Sequence, residues 1–235
     1  MQFLMDAIAI IPARGGSKRI PRKNIKLFHG KPLIAYSIEA ALASGLFGEV
    51  VVSTDDAEIA QIAREYGASV PFMRPKDLSD DFTGTGAVIA HATAWLLQNG
   101  RTFNTVCTIY ATAPFLDPKY LKEGVAKLKN SDAKYAFSAA SMPFPIQRTF
   151  KITKEGRCEM FWRENFAKRS QDLETAYQDA GQFYWNDLTK NSKEIIFGKD
   201  SIPIVLPRYL VQDIDDEEDW ERAELLYESL KQKGV

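Results

Sequence analysis

Short apolar runs rich in β-branched residues alternate with amphipathic helical patterns over the first two thirds of this chain, which is the signature of a parallel sheet covered by helices. The predicted fold class is therefore α/β, a doubly wound, mostly parallel sheet with helices on both faces. Ala7 to Ile11 reads as a buried strand, Pro32 to Ser44 as a helix with proline in its first turn, and Val50 to Ser53 as a second strand. Asp55, with Glu58 three positions on, predicts a capped helix start; Ile59, Ile62, Ala63 and Tyr66 share one face of that helix, and Gly67 closes it. Thr85 to Asn99, ended by Gly100, predicts another helix, and Val106 to Tyr110 a third strand. Asp117 and Pro118 supply the cap and first turn of a helix with Leu121, Val125 and Leu128 inward, and Tyr135 to Ser141 follows as a strand.

Beyond Ser141 the rhythm breaks. Pro143, Pro145 and a mixed polar and aromatic stretch to about Phe166 show neither period. Phe144, Phe150, Phe161, Trp162 and Phe166 lie outside any regular pattern, so 142–166 reads as an inserted arm carrying a partner surface. The β pattern resumes at Gly181 to Trp185 and at Ile202 to Leu206, and Glu217 to Lys231 predicts a closing helix. Set against ~150 residues per domain, 235 residues without repeats are read as one domain over 1–235.

Composition narrows the function classes. Thirty Lys and Arg against thirty-one Asp and Glu leave a net charge of -1, without the basic excess a nucleic-acid binder needs. The apolar stretch from Ala7 stops at Pro12, far short of the ~20 residues of a membrane span. Asp6 before it, with no small-residue cleavage site behind it, disfavours a secretion signal. Cys107 and Cys158 form neither a C-x-x-C pair nor a disulfide framework. The expectation is a cytoplasmic protein with free thiols, no membrane contact and no nucleic-acid partner.

The strongest chemical signal is Ala13, Arg14, Gly15, Gly16, Ser17 and Lys18, directly after the first strand, followed by Lys23 and Asn24. Strand ends of a parallel sheet are where ligands bind. Two glycines let backbone amides approach phosphate oxygens, while Arg14, Lys18 and Lys23 add cations and Ser17 a hydroxyl. This reads as a polyphosphate cradle. It is neither a Walker loop nor a dinucleotide loop, since the one G-x-G, Gly84 to Gly86, has Ile89 where a third glycine belongs.

The second signal is Asp213 and Asp215, which alternation places on one face of an extended segment, where two hard oxygens can share one Mg²⁺. Asp216 to Asp219 also complement a helix N-terminus. His29 and His91 lack metal-ligand spacing and read as a turn residue and a helix residue; Tyr227 and Lys231 read as packing, and Cys107 as core.

The residues from Ile11 to Lys18, then Lys23-Asn24 and Gly30 to Leu33, resemble the opening of the acylneuraminate cytidylyltransferases. Val51 to Asp55, Arg74 to Leu78, Thr112 to Pro114, Gly181 to Tyr184 and Asp213 to Asp215 follow in that family's order along nearly the whole chain. The resemblance implies that Arg14, Ser17, Lys18 and Lys23 hold the CTP phosphates, that Asn24 and Arg74 help hold the nucleotide, and that Asp213 and Asp215 bind Mg²⁺. It also implies a homodimer formed through the inserted arm. Two departures stand out. Tyr110 replaces the glutamine that sialic acid enzymes carry before P-T-S-P, and Gln178-Asp179-Ala180 replaces their arginine-containing triplet before the glycine. Arg169 to Asp172, with Ala180 to Trp185, looks most like the pseudaminic acid branch and puts Arg169, Gln178, Gln182 and Tyr184 forward as sugar contacts.

The function this implies is transfer of CMP from CTP to the anomeric hydroxyl of a nonulosonic acid, most like pseudaminic acid, with Arg14, Lys23, Asp213 and Asp215 as its catalytic groups. N-acetylneuraminate and legionaminic acid are the alternative acceptors. A glycosyltransferase using its D-x-D and a non-catalytic CTP-binding module are readings from other classes.

Overall fold

The computed structural model describes residues 6–233. Its core is a six-stranded mixed sheet with flanking helices, in which most neighbours run parallel. In chain order the strands are β1 (Ala7–Pro12), β2 (Leu27–Phe28), β3 (Lys31–Pro32), β4 (Glu49–Ser53), β5 (Thr105–Ile109), β6 (Tyr135–Ser141), β7 (Phe150–Ile152), β8 (Cys158–Met160), β9 (Tyr177–Asp187) and β10 (Ser201–Leu206). The helices are α1 (Leu33–Ser44), α2 (Ala57–Glu65), α3 (Thr85–Gln98), α4 (Pro118–Lys129) and α5 (Glu217–Gln232). The main sheet runs β10-β6-β9-β5-β1-β4.

Burial on both faces explains the continuous apolar run of β1. Ala7, Ala9 and Ile11 join a cluster with Ile34 and Ile38 of α1 and Leu121 of α4, whereas Ile8 and Ile10 join Ala92 and Leu96 of α3. A third cluster packs Phe28 and Leu33 against Trp220 and Ala223 of α5. The Phe28 ring meets Tyr36, Trp220 and Tyr227 edge-on at centroid distances of 5.6, 5.5 and 5.3 Å. The loop after β1 is thereby tied to the C-terminal helix, nearly two hundred residues away.

Three local expectations are corrected. The cap of α2 is Asp56 rather than Asp55: the Asp56 carboxylate accepts the amides of Glu58 and Ile59, both at 3.0 Å. β9 starts earlier than Gly181 and pairs antiparallel with both neighbours, with a register shift between Phe137 and Ala139 and Gly181 at φ 63°. The irregular segment contains a hairpin, β7 with β8, and leaves the sheet over 142–176 rather than ending near Phe166. A hydrogen bond donated by the Met142 amide to the Ala176 carbonyl, 2.9 Å, closes its base. Asp117 caps α4, and Asp216 with Asp219 forms a reciprocal capping box on α5. Among the described residues no helix is long and apolar enough to cross a membrane.

Candidate active site

The loop leaving β1 turns across the ends of the parallel strands and borders a cavity of about 440 Å³. Arg14, Ser17, Lys23, Asn24 and Arg74 line it together with Asp213 and Asp215, so residues separated by two hundred positions meet at one cavity. Arg19, Asp80, Asp81 and Tyr110, absent from the sequence-based set, line it as well.

The two glycines differ in what they do. The amide of Gly15 donates to Asp55 Oδ1 at 3.0 Å, and a Cβ at this position would lie 2.7 Å from Asp56 Oδ2. Gly15 is therefore small because the start of α2 presses against it, and its N–H is already engaged rather than held out to a phosphate. A Cβ at Gly16 meets nothing within 4 Å, which leaves this residue facing open space. Ala13 is buried, its amide bonded to the Ser53 carbonyl at 2.9 Å, and so supports the loop from beneath. The Asn24 side chain donates to the Arg14 carbonyl at 2.9 Å and fixes the turn from inside. Asp55, freed from capping, also lies 3.4 Å from Nη2 of Arg74. Arg74 is buried with its Nε unpartnered, and burial lowers its pKa. A buried guanidinium with donors to spare calls for an anion.

Two acidic groups hold the cations. Arg14 Nη1 donates to Asp81 Oδ1 at 2.7 Å and to the Asp80 carbonyl at 2.9 Å, and Lys18 pairs with the same Asp81 carboxylate. Lys18 is largely exposed and does not itself line the cavity. Across the cavity Lys23 Nζ donates to the Ile214 carbonyl at 2.5 Å and lies 3.4 Å from Asp215 Oδ1, while Arg19 Nη2 reaches Asp215 Oδ2 at 2.9 Å. Burial, and then the neighbouring charge of Asp215, raises the pKa of Asp213. A buried carboxylate facing a second one in this way fits a hard divalent cation, which would offset the neighbouring charge at Asp213. Among the described residues no group of three or more His, Cys, Asp or Glu side chains is placed to hold a metal ion. Substrate oxygens and water would have to complete the shell, as is usual for Mg²⁺.

A second, larger cavity of about 700 Å³ adjoins the first, sharing Thr85 and Tyr110 with it. Its walls are mostly apolar, with Ile89 and Leu97 of α3 on one side and Ile196 and Phe197 on another. Tyr184 lines it, its ring tilted against Tyr110 at 5.2 Å. The other predicted sugar contacts lie elsewhere in this chain. Gln182 is buried and its amide donates to the Leu210 carbonyl at 2.5 Å, which ties β9 to the segment before α5. Gln178 is exposed opposite Ala140, and Arg169 pairs at 2.7 Å with Asp172 on the excursion. The strand period separates Gln178 from its neighbour Asp179, which does line the larger cavity.

Known proteins place this architecture. Residues 8–201 match the family model described as Cytidylyltransferase. The chain is 48% identical over 224 residues to the pseudaminic acid cytidylyltransferase of Campylobacter jejuni subsp. jejuni serotype O:2, covering 95% of this chain and 97% of that one. It is 38% identical over 213 residues to a Helicobacter pylori protein named pseudaminic acid cytidylyltransferase and UDP-2,4-diacetamido-2,4,6-trideoxy-β-L-altropyranose hydrolase, covering 89% of this chain and 40% of that one. Among solved structures, CMP:2-keto-3-deoxy-manno-octonic acid synthetase complexed with CTP superposes with a TM-score of 0.66 at 16% identity, covering 95% of this chain and 98% of that one.

Proposed function

The chain belongs to the cytidylyltransferase family, and from that premise we propose that it transfers CMP from CTP to the anomeric hydroxyl of pseudaminic acid and releases pyrophosphate. The observation that carries the choice of sugar is the 48% identity to the Campylobacter jejuni enzyme over nearly the full length of both chains. The acceptor in this reading carries two acetamido groups and a deoxy terminus, the chemistry of the sugar nucleotide named for the second activity of the Helicobacter pylori relative.

The site chemistry supports the reaction. Phosphoryl transfer is achieved largely by positioning and charge neutralisation. In this reading Arg14, Lys23 and Arg74 take the triphosphate, and the open side of Gly16 lets the backbone approach it. Asp213 and Asp215 would hold Mg²⁺, which when bound supplies charge neutralisation at the phosphates. Lys23 sits between these carboxylates and the loop, where it offsets their charge and neutralises the departing pyrophosphate. The protein in this reading is a cytoplasmic homodimer of one-domain subunits. The arm, which spans 142–176 in the structure, forms its interface, supported by the exposure of Phe144, Phe161 and Phe166.

The test is pyrophosphate release with CTP and Mg²⁺ and, in separate reactions, pseudaminic acid, legionaminic acid, N-acetylneuraminate and 3-deoxy-manno-octulosonate. The highest kcat/KM is expected with pseudaminic acid. Equal or better use of N-acetylneuraminate overturns the choice of sugar, and no release with any of the four overturns the reaction. Light scattering that reports 26.5 kDa overturns the dimer.

A further inference from the structure

The two cavities divide the charge between them. Arg14, Arg19, Lys23 and Arg74 all line the smaller one, along with the carboxylates of Asp80, Asp81, Asp213 and Asp215, while among the described residues no Lys, Arg or His lines the larger. A sugar acid lying across the shared Thr85 and Tyr110 is thereby oriented. Its carboxylate, attached to the same carbon as the reacting hydroxyl, finds cations only in the smaller cavity, where Arg74 keeps an unpartnered Nε, and the far end of the sugar enters the apolar one. Within that apolar cavity stands one ionisable acid, Asp179.

Asp179 is held with care for a residue on a cavity wall. Its Oδ1 accepts the amide of Gly181 at 3.0 Å and its Oδ2 accepts the Tyr184 hydroxyl at 2.6 Å. The positive φ of Gly181 and the register shift of β6 against β9 bend the strand at this point. A carboxylate offers about four acceptor directions, so two bonds fix its orientation and leave capacity facing the cavity. A carboxylate beside apolar walls penalises a ligand that brings it no donor, and it repels one that brings an acceptor or an anion.

Resting on the acceptor chemistry proposed above, we infer that Asp179, braced by Tyr184 and Gly181, is a specificity-determining residue that accepts an acetamido N–H of the sugar. A diacetamido sugar with a deoxy terminus suits such a cavity: the amide N–H meets the carboxylate, and the methyl groups meet Ile89, Leu97, Ile196 and Phe197. A hydroxyl-rich chain would leave polar groups without partners on those walls.

The experiment changes one hydrogen-bond donor at a time. Pseudaminic acid is compared with two analogues in which one or the other acetamido group is replaced by acetoxy, which exchanges N–H for O at nearly constant shape. Wild type, Asp179→Asn and Tyr184→Phe are each assayed by pyrophosphate release, with KM for CTP and thermal melting as controls. Wild type is expected to lose about 10- to 100-fold in kcat/KM with one of the two analogues. Asp179→Asn should show a similar loss on the parent sugar, little further loss on that analogue and an unchanged KM for CTP. Tyr184→Phe, which keeps the carboxylate, should retain the discrimination. Equal use of all three sugars by wild type overturns the inference, even if neither variant folds; so does full discrimination by a folded Asp179→Asn. If wild type turns over N-acetylneuraminate and not pseudaminic acid, the choice of sugar falls, and the same N–H to O exchange on that sugar's acetamido group decides the role of Asp179.

Discussion

The Arg14 guanidinium and the Asp81 carboxylate, 67 positions apart, meet at 2.7 Å on the rim of the smaller cavity, and Lys18 joins the same carboxylate. Lys18 first and Arg14 second hold the Asp81 carboxyl below the usual carboxylate range. In the proposed reaction an arriving triphosphate would have to take these cations over from Asp81. Asp81→Asn is therefore expected to lower the KM for CTP by about 2- to 5-fold, a modest effect because exposed pairs are weak, and to leave kcat unchanged. The gain should shrink at high ionic strength. A rise in KM would instead make Asp81 a group that the bound nucleotide needs.

Gly15 and Gly16 should fail in different ways. Gly15→Ala drives a methyl group to 2.7 Å from Asp56 Oδ2, and the crowding involves a helix cap rather than a loose side chain. A loss of about 1–3 kcal/mol of stability is expected, read as a lower melting temperature. Gly16→Ala meets no protein atom, so melting should be unchanged while the KM for CTP rises. Unchanged kinetics in Gly16→Ala would remove Gly16 from the proposed nucleotide site.

These two glycines also mark the limit of what the sequence discloses. The loop itself was legible, because two glycines and three cations after a buried strand have few other uses. Which glycine serves the ligand and which serves packing depends on α2, and therefore on whether Asp55 or Asp56 caps it. Both are acids at a helix start, and one residue of offset decides which oxygen reaches the amides of Glu58 and Ile59. The direction of β9 was illegible for a related reason. Its composition marks a strand, but only the long excursion over 142–176 reverses the chain. The β7–β8 hairpin escapes notice because it buries neither face and so lacks an alternating pattern. Asp80 and Asp81 carry no motif that marks them in the sequence, and only the fold sets them over Arg14.

Asp56 couples the start of α2 to pH. It caps the helix and pairs with Arg22, and the Arg22 hydrogen bond is the main cause of its lowered pKa. A carboxyl whose folded pKa is depressed contributes stability that is fully present above its unfolded value, 3.8, and is lost as pH falls through the folded value. Asp56→Asn keeps a capping oxygen and loses the charge. It is expected to cost about 1 kcal/mol at neutral pH and to flatten the acid limb of the stability profile below about pH 4. Parallel acid limbs in the two proteins would show that Asp56 titrates alike in the folded and unfolded chains.

Lys23 joins the two halves of the site. Its Nζ donates to the Ile214 carbonyl at 2.5 Å and lies 3.4 Å from Asp215 Oδ1, and its side chain is only 16% exposed. It therefore has two separable duties. As a tie it satisfies one carbonyl, and truncation to alanine should cost about 1 kcal/mol in stability. As a preorganised charge beside the carboxylates it should act on kcat, where losing one such contact costs ~10²–10³ in rate. Lys23→Ala is expected to show both effects, with a small fall in melting temperature and a large fall in pyrophosphate release at saturating CTP and Mg²⁺. Asp215→Asn should lose activity as severely, since an amide keeps the shape of the side chain but not the charge that Mg²⁺ requires. If Lys23→Ala melts lower but turns over at nearly the normal rate, the lysine is a structural tie between the loop and the segment before α5, and its part in the chemistry falls.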